Sequence, residues 1–192
     1  MPDPAAGTEA DQTRPETARK RGPARALAIG VLVVVAAAGA MAIGTRDAPD
    51  DGAAVGQAAA FSLPSIRNDG ETVSLDLRDG RPAVVNFFAS WCAPCKRELP
   101  YFASASRRLE GEVSFIGIAH QDDAGLAAEM LREFEITYPA GNDPEGNIAR
   151  RYLLRGMPST AFVAADGTLV GVAAGELDAG ELDDWIKRTL AA

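Results

Sequence analysis

A short apolar run, Pro82-Ala83-Val84-Val85-Asn86-Phe87-Phe88, leads through Ala89 and Ser90 into Trp91-Cys92-Ala93-Pro94-Cys95 and limits the available architectures more than any other stretch of the sequence. A run this short and this apolar suits a strand buried in the centre of a sheet, covered on both faces. A helix is expected to follow it, starting at the cysteine motif and ending near Glu110. A second buried strand should come next at 113–119, then a helix at 124–134. Before the motif, residues 60–64 and 72–74 read as short strands around the Asn68-Asp69-Gly70 turn. After it comes a looser stretch with a short helix near 147–152. Strands at 159–164 and 168–174 follow, joined by Ala165-Asp166-Gly167, a strong hairpin signal, and a last helix spans 180–190. Alternating strands and helices closed by a hairpin and a helix predict an α/β layer fold with a mixed central sheet.

Only part of the 192 residues belongs to that fold. Residues 1–25 are rich in Pro, Ala, Thr and charge, with basic residues at Arg14, Arg19, Lys20, Arg21 and Arg25, and read as a disordered cytoplasmic tail. Residues 26–45 are twenty in a row without a charge. As a helix they would span about 30 Å, the thickness of a bilayer's hydrocarbon core. Basic residues precede this run and Asp47, Asp50 and Asp51 follow it, which predicts a cytoplasmic N-terminus and a body outside the cytoplasm on a single-pass cell-membrane anchor. The competing reading is a cleaved signal peptide, since Ala40-Met41-Ala42 has the small-x-small form of a cleavage site. Residues 46–58 read as a flexible linker and 59–192 as the folded domain. From Thr45 onward, 14 Lys and Arg face 23 Asp and Glu, so the body repels polyanions and nucleic acid is an unsuitable partner.

Cys92 and Cys95 are the only cysteines and His120 the only histidine. No scattered set of thiols exists to staple the fold, so the pair points to reactivity. A dithiol exchanger needs one exposed thiolate to attack a disulfide and a second thiol near enough to resolve the mixed disulfide. Two intervening residues at a helix start meet that need. The free N–H groups and dipole of a helix N-terminus stabilise negative charge, which makes Cys92 the candidate nucleophile and Cys95 the resolving thiol. Zinc sites use the same spacing, but one histidine leaves too few ligands for an ordinary structural site, and neither metal nor cofactor is expected.

The string Val84-Val85-Asn86-Phe87-Phe88-Ala89-Ser90-Trp91-Cys92-Ala93-Pro94-Cys95-Lys96-Arg97-Glu98-Leu99-Pro100 resembles the thioredoxin superfamily, in particular its TlpA/ResA/DsbE-like branch of membrane-anchored thiol-disulfide oxidoreductases. Gly156-Met157-Pro158-Ser159-Thr160 is similar to that family's loop with a cis-proline facing the cysteines, and Phe162-Val163-Ala164-Ala165-Asp166-Gly167 to its following hairpin. The resemblance covers roughly 59–192 and implies a thioredoxin-like fold. It also implies that Met157 and Pro158, with Trp91, present an edge to a substrate segment, whereas a plain turn is the other reading of Met157 and packing the other reading of Trp91. Pro100 falls where the family's active-site helix carries a kinking proline.

Thioredoxins proper carry a buried aspartate where this chain has Asn86, which cannot take a proton. The resembled branch has a glutamate three residues after the second cysteine, filled here by Glu98 on the same helix face as Cys95. The resemblance thus gives Glu98 an acid-base role; a first-turn acid favoured by the helix dipole is the alternative. His120 reads as a strand-end residue partly facing solvent, and Trp185 as core on the last helix. The implied partners are protein thiols and disulfides, apocytochrome c among them, with a membrane thiol carrier as electron source. The alternatives are an oxidase or isomerase for secreted proteins, a thiol peroxidase and a metal chaperone.

Overall fold

The computed structural model describes residues 56–76 and 80–192. The basic tail, the apolar run and most of the linker lie outside the described residues, among which no helix is long and apolar enough to cross a membrane.

The core is a five-stranded sheet. Chain order gives β1 (Ser62–Pro64), β2 (Thr72–Ser74), β3 (Ala83–Phe88), α1 (Ala93–Arg108), β4 (Ser114–His120), α2 (Ala124–Glu133), β5 (Ala140–Asp143), α3 (Asn147–Arg151), β6 (Ser159–Val163), β7 (Leu169–Ala174) and α4 (Ala179–Leu190). The spatial order is β5-β4-β3-β6-β7, with β3, β4 and β5 parallel and β6 and β7 antiparallel to their neighbours. β3 is central and every one of its residues is buried, as its unbroken apolar run requires. β1 and β2 pair separately across the Asn68-Asp69-Gly70 turn, where Gly70 takes φ +80°, a conformation that costs glycine little.

Because side chains alternate across a strand, β3 feeds two cores. Val84 and Phe88 pack with Leu99 and Phe102 of α1, Leu131 of α2, and Leu182 and Ile186 of α4. Val85 and Phe87 pack on the other face with Ile148 of α3, with Tyr152 just after it, and with Leu63 and Val73 of the β1–β2 pair. Trp185 is half-buried rather than fully enclosed: its ring stacks on Phe162 at 4.9 Å, and the Arg188 guanidinium covers the indole at 4.0 Å.

The expected fold class holds, and one element corrects the reading. The looser stretch before α3 contains an edge strand, β5, paired through Gly117↔Ala140 to His120↔Asp143. Its sequence, Ala-Gly-Asn-Asp, has no β-branched residue to signal a strand. Gly141 is there for space, since a Cβ on it would lie 2.7 Å from that of Leu63. Ordered contacts also begin slightly before residue 59, with the Ala58 N–H donating to the Gly167 carbonyl at 2.9 Å.

Candidate active site

α1 begins where β3 ends, so the cysteine motif sits at the sheet's C-terminal edge. Cys92 is the helix N-cap, and the Cys95 backbone N–H donates to its Sγ at 3.2 Å. Any negative charge on that sulfur would lie on the unpaired N–H groups of the first turn. The two cysteines form a disulfide, with Cys92 4% and Cys95 0% exposed. Pro100 lies inside α1 and has no N–H to give, so the Lys96 carbonyl has no i+4 backbone donor.

The turn carrying Trp91 is held from the loop that follows β4. Asp122 accepts from the Ser90 backbone N–H at 2.5 Å and from the Ser90 hydroxyl at 2.6 Å, while the Trp91 indole N–H donates to the Gln121 carbonyl at 3.2 Å. Trp91 itself is 60% exposed beside the nearly buried disulfide. Asp122 was not among the residues singled out from sequence; its signal is the Gln121-Asp122-Asp123 string directly after a strand that ends level with β3.

The Met157–Pro158 peptide is cis. Ser159 pairs with Phe87, so Pro158 is carried to the same sheet edge as the cysteine motif, and its carbonyl accepts from the Gly175 N–H at 2.9 Å. Met157 is half-buried and lines a 300 Å³ cavity with His120, Gln121, Gly146, Arg150 and Leu154. His120 is half-buried at the end of β4, as expected, and its Nδ1 is buried without a partner. A larger cavity of 910 Å³, lined by Arg81, Arg107 and Glu110, opens at the opposite end of β3 and β4 and touches neither cysteine. Among the described residues no cluster of three His, Cys, Asp or Glu is arranged to hold a metal.

Glu98 is 0% exposed. Its Oε1 accepts from Asn86 Nδ2 at 2.8 Å, and its Oε2 accepts from the Leu177 backbone N–H at 3.1 Å. Burial pushes its carboxyl up to about 7, against the two hydrogen bonds that favour the charged form and with nearby Glu176 adding to the rise. Glu98 is the sixth residue of α1 and lies beyond its first turn, so the reading of it as a first-turn acid favoured by the helix dipole is corrected. The arrangement can hold or release a proton near neutrality one helical turn from Cys95. Glu176 is turned outward, accepting both Nε and Nη2 of Arg97.

A family model described as Redoxin matches residues 54–185. The thiol-disulfide oxidoreductase ResA of Oceanobacillus iheyensis is 29% identical over 136 residues, which cover 69% of this chain and 71% of that protein. The soluble secreted antigen MPT53 of Mycobacterium tuberculosis is 31% identical over 148 residues, covering 76% of this chain and 82% of the relative. Among solved structures, a thiol:disulfide interchange protein of the thioredoxin family from Chlorobium tepidum superposes with a TM-score of 0.63 at 25% identity, over 72% of this chain and 98% of its own. A cysteine pair opening the helix after the central strand, on a thioredoxin-like sheet, accompanies these likenesses, and the chain therefore belongs to the redoxin family as a thiol-disulfide oxidoreductase.

Proposed function

We propose that this oxidoreductase works as a reductant outside the cytoplasm, tethered to the cell membrane, and keeps the haem-attachment cysteines of apocytochromes c reduced with electrons from a membrane thiol carrier. The observation that carries the chemistry is the buried carboxyl of Glu98, 0% exposed and poised near neutrality beside the cysteine helix turn. In the reduced protein the Cys92 thiolate attacks a substrate disulfide, forming a mixed disulfide and releasing one substrate thiolate, which takes a proton from solvent. Glu98 then accepts the Cys95 proton, and the Cys95 thiolate attacks Cys92 Sγ. The second substrate thiolate leaves, with Glu98 as its proton source. The substrate gains two electrons and two protons, and the protein ends as the Cys92–Cys95 disulfide. Trp91, Met157 and Pro158 form the edge that receives the substrate segment.

The tether supports the reductive reading. A transmembrane donor and a membrane-bound haem-ligation machine both work near the bilayer, and an anchor at 26–45 on a flexible linker raises the domain's effective concentration for each. A relative called soluble and secreted favours a second reading, in which 26–45 is a cleaved signal peptide and the domain is released. The test is genetic: loss of the protein should lower holocytochrome c, and external thiol reductant should restore it. Secreted proteins left with unpaired cysteines and rescued by added oxidant would instead make this an oxidase.

A further inference from the structure

Asn86 occupies the middle of β3, 1% exposed, on the face covered by α1. Its Nδ2 donates to Glu98 Oε1 at 2.8 Å and reaches Thr160 Oγ1, across the β3–β6 pair, at 3.3 Å. Its Oδ1 is buried and has no partner. A buried amide oxygen without a donor is rare in a folded protein and calls for an explanation. The lopsided bonding is what an ionised Glu98 demands, because a carboxylate is an acceptor only and the amide must turn its NH2 toward it.

We propose that Asn86 is a positioning residue whose side-chain amide turns over as Glu98 gains or loses its proton, giving its NH2 to the carboxylate and its Oδ1 to the carboxylic acid. The inference rests on the reading of Glu98 as the group that titrates beside the cysteine pair. Glu98 Oε2 faces the Leu177 backbone N–H, a donor that cannot rotate away, so Oε2 remains the carbonyl oxygen and an added proton goes to Oε1. Oε1–H and the Asn86 NH2 would then be two donors face to face. Rotation about χ2 exchanges oxygen for nitrogen in the same volume and needs no repacking. Oδ1 then accepts from Oε1–H, and the Thr160 hydroxyl, which can donate as well as accept, supplies it with a second donor. The orphan acceptor of the charged state is thereby a bonded acceptor in the neutral state, and the NH2 takes the unpartnered position that Oδ1 held. An apolar residue here would leave Glu98 Oε1 without any donor in the charged state.

The other groups facing this site do not substitute for the amide. The Tyr138 hydroxyl, from the segment leading into β5, is buried without a partner and held neutral by burial, which pushes its pKa up. Glu176, from the loop before α4, is paired with Arg97 of α1. Cys92 and Cys95, the remaining titratable groups, are locked in the disulfide when the protein is oxidised.

The experiment uses the oxidised full chain in detergent micelles, so that neither cysteine titrates, with 15N-labelled asparagine and 13Cδ-labelled glutamate. Glu98 13Cδ reports its own midpoint, and the Asn86 side-chain NH2 protons report whether they are bonded. Both NH2 protons should move upfield as Glu98 is protonated, with the same midpoint. In Asn86→Leu the Glu98 midpoint should rise by roughly one to two pH units, a tenfold to hundredfold gain in proton affinity, from loss of a charge-assisted hydrogen bond. Glu98 titrating while the NH2 protons hold still would overturn the turning amide and leave the reading of Glu98 intact. A Glu98 carbon that fails to titrate between pH 5 and pH 9 would overturn both.

Discussion

A carboxyl sealed under a sheet is a cost the fold carries whenever the group is charged, and Glu98 makes that cost measurable. Its pKa is raised from 4.5 to about 7, so the folded chain holds the proton more tightly than the unfolded chain. The stability it contributes is fully present below pH 4.5 and is lost as the pH rises through 7, by up to about 3 kcal/mol. Glu98→Gln keeps the size of the side chain without the charge. Chemical denaturation of the oxidised protein should therefore show the variant gaining on the parent between pH 4.5 and pH 8, and a difference that stays flat with pH would refute the buried charge. The same variant should flatten the pH profile of thiol exchange near neutrality; an unchanged profile would leave Glu98 a purely structural acid. The cysteines differ in one way the sequence made readable, since only Cys92 sits where the free N–H groups of α1 point; the exposed Cys92 expected from the sequence is not seen in the disulfide form, where Cys92 is 4% and Cys95 0% exposed. With one cysteine removed at a time, alkylation should be faster at Cys92 and should titrate below about 8.5, the free-thiol value. Faster reaction at Cys95 at neutral pH would reverse the two roles.

The turn from β3 to α1 is held by a partner from the loop after the neighbouring strand β4, which local patterning does not reveal. Asp122 binds the Ser90 N–H and hydroxyl together, and removing it leaves both donors without that acceptor. Asp122→Ala should cost about 1–3 kcal/mol and speed amide exchange at Ser90. Unaltered stability and exchange would mean that the turn holds its shape unaided. β3 was legible because full burial dictates an unbroken apolar run, and α1 because the cysteine motif marks its start. β5 was not, because a four-residue edge strand of Ala, Gly, Asn and Asp is specified by its pairing with β4 and by the close approach of Leu63 to Gly141. Asn86 was legible as a departure from the thioredoxin pattern. That it would be hydrogen-bonded to Glu98 follows only from β3 and α1 packing face to face.

At the scale of the whole molecule, the layer order and the position of the site follow from one fact: the central strand delivers its C-terminal end to the helix that carries both cysteines. The antiparallel β6 brings Met157 and Pro158 to that same edge. The proposed topology relative to the membrane is a separate matter, which rests on the uncharged run at 26–45 and the charges on either side of it. An impermeant thiol reagent applied to intact, reduced cells should reach Cys92, whereas labelling only after lysis would place the domain in the cytoplasm. The reductive function turns on the direction of electron flow, which depends on the relative stability of dithiol and disulfide. The most direct measurement is the equilibrium potential of the Cys92–Cys95 pair against defined thiol-disulfide buffers. A reductant of apocytochrome disulfides requires a value well below the roughly −120 mV of strong oxidants; a value at that oxidising end would contradict the reductive function.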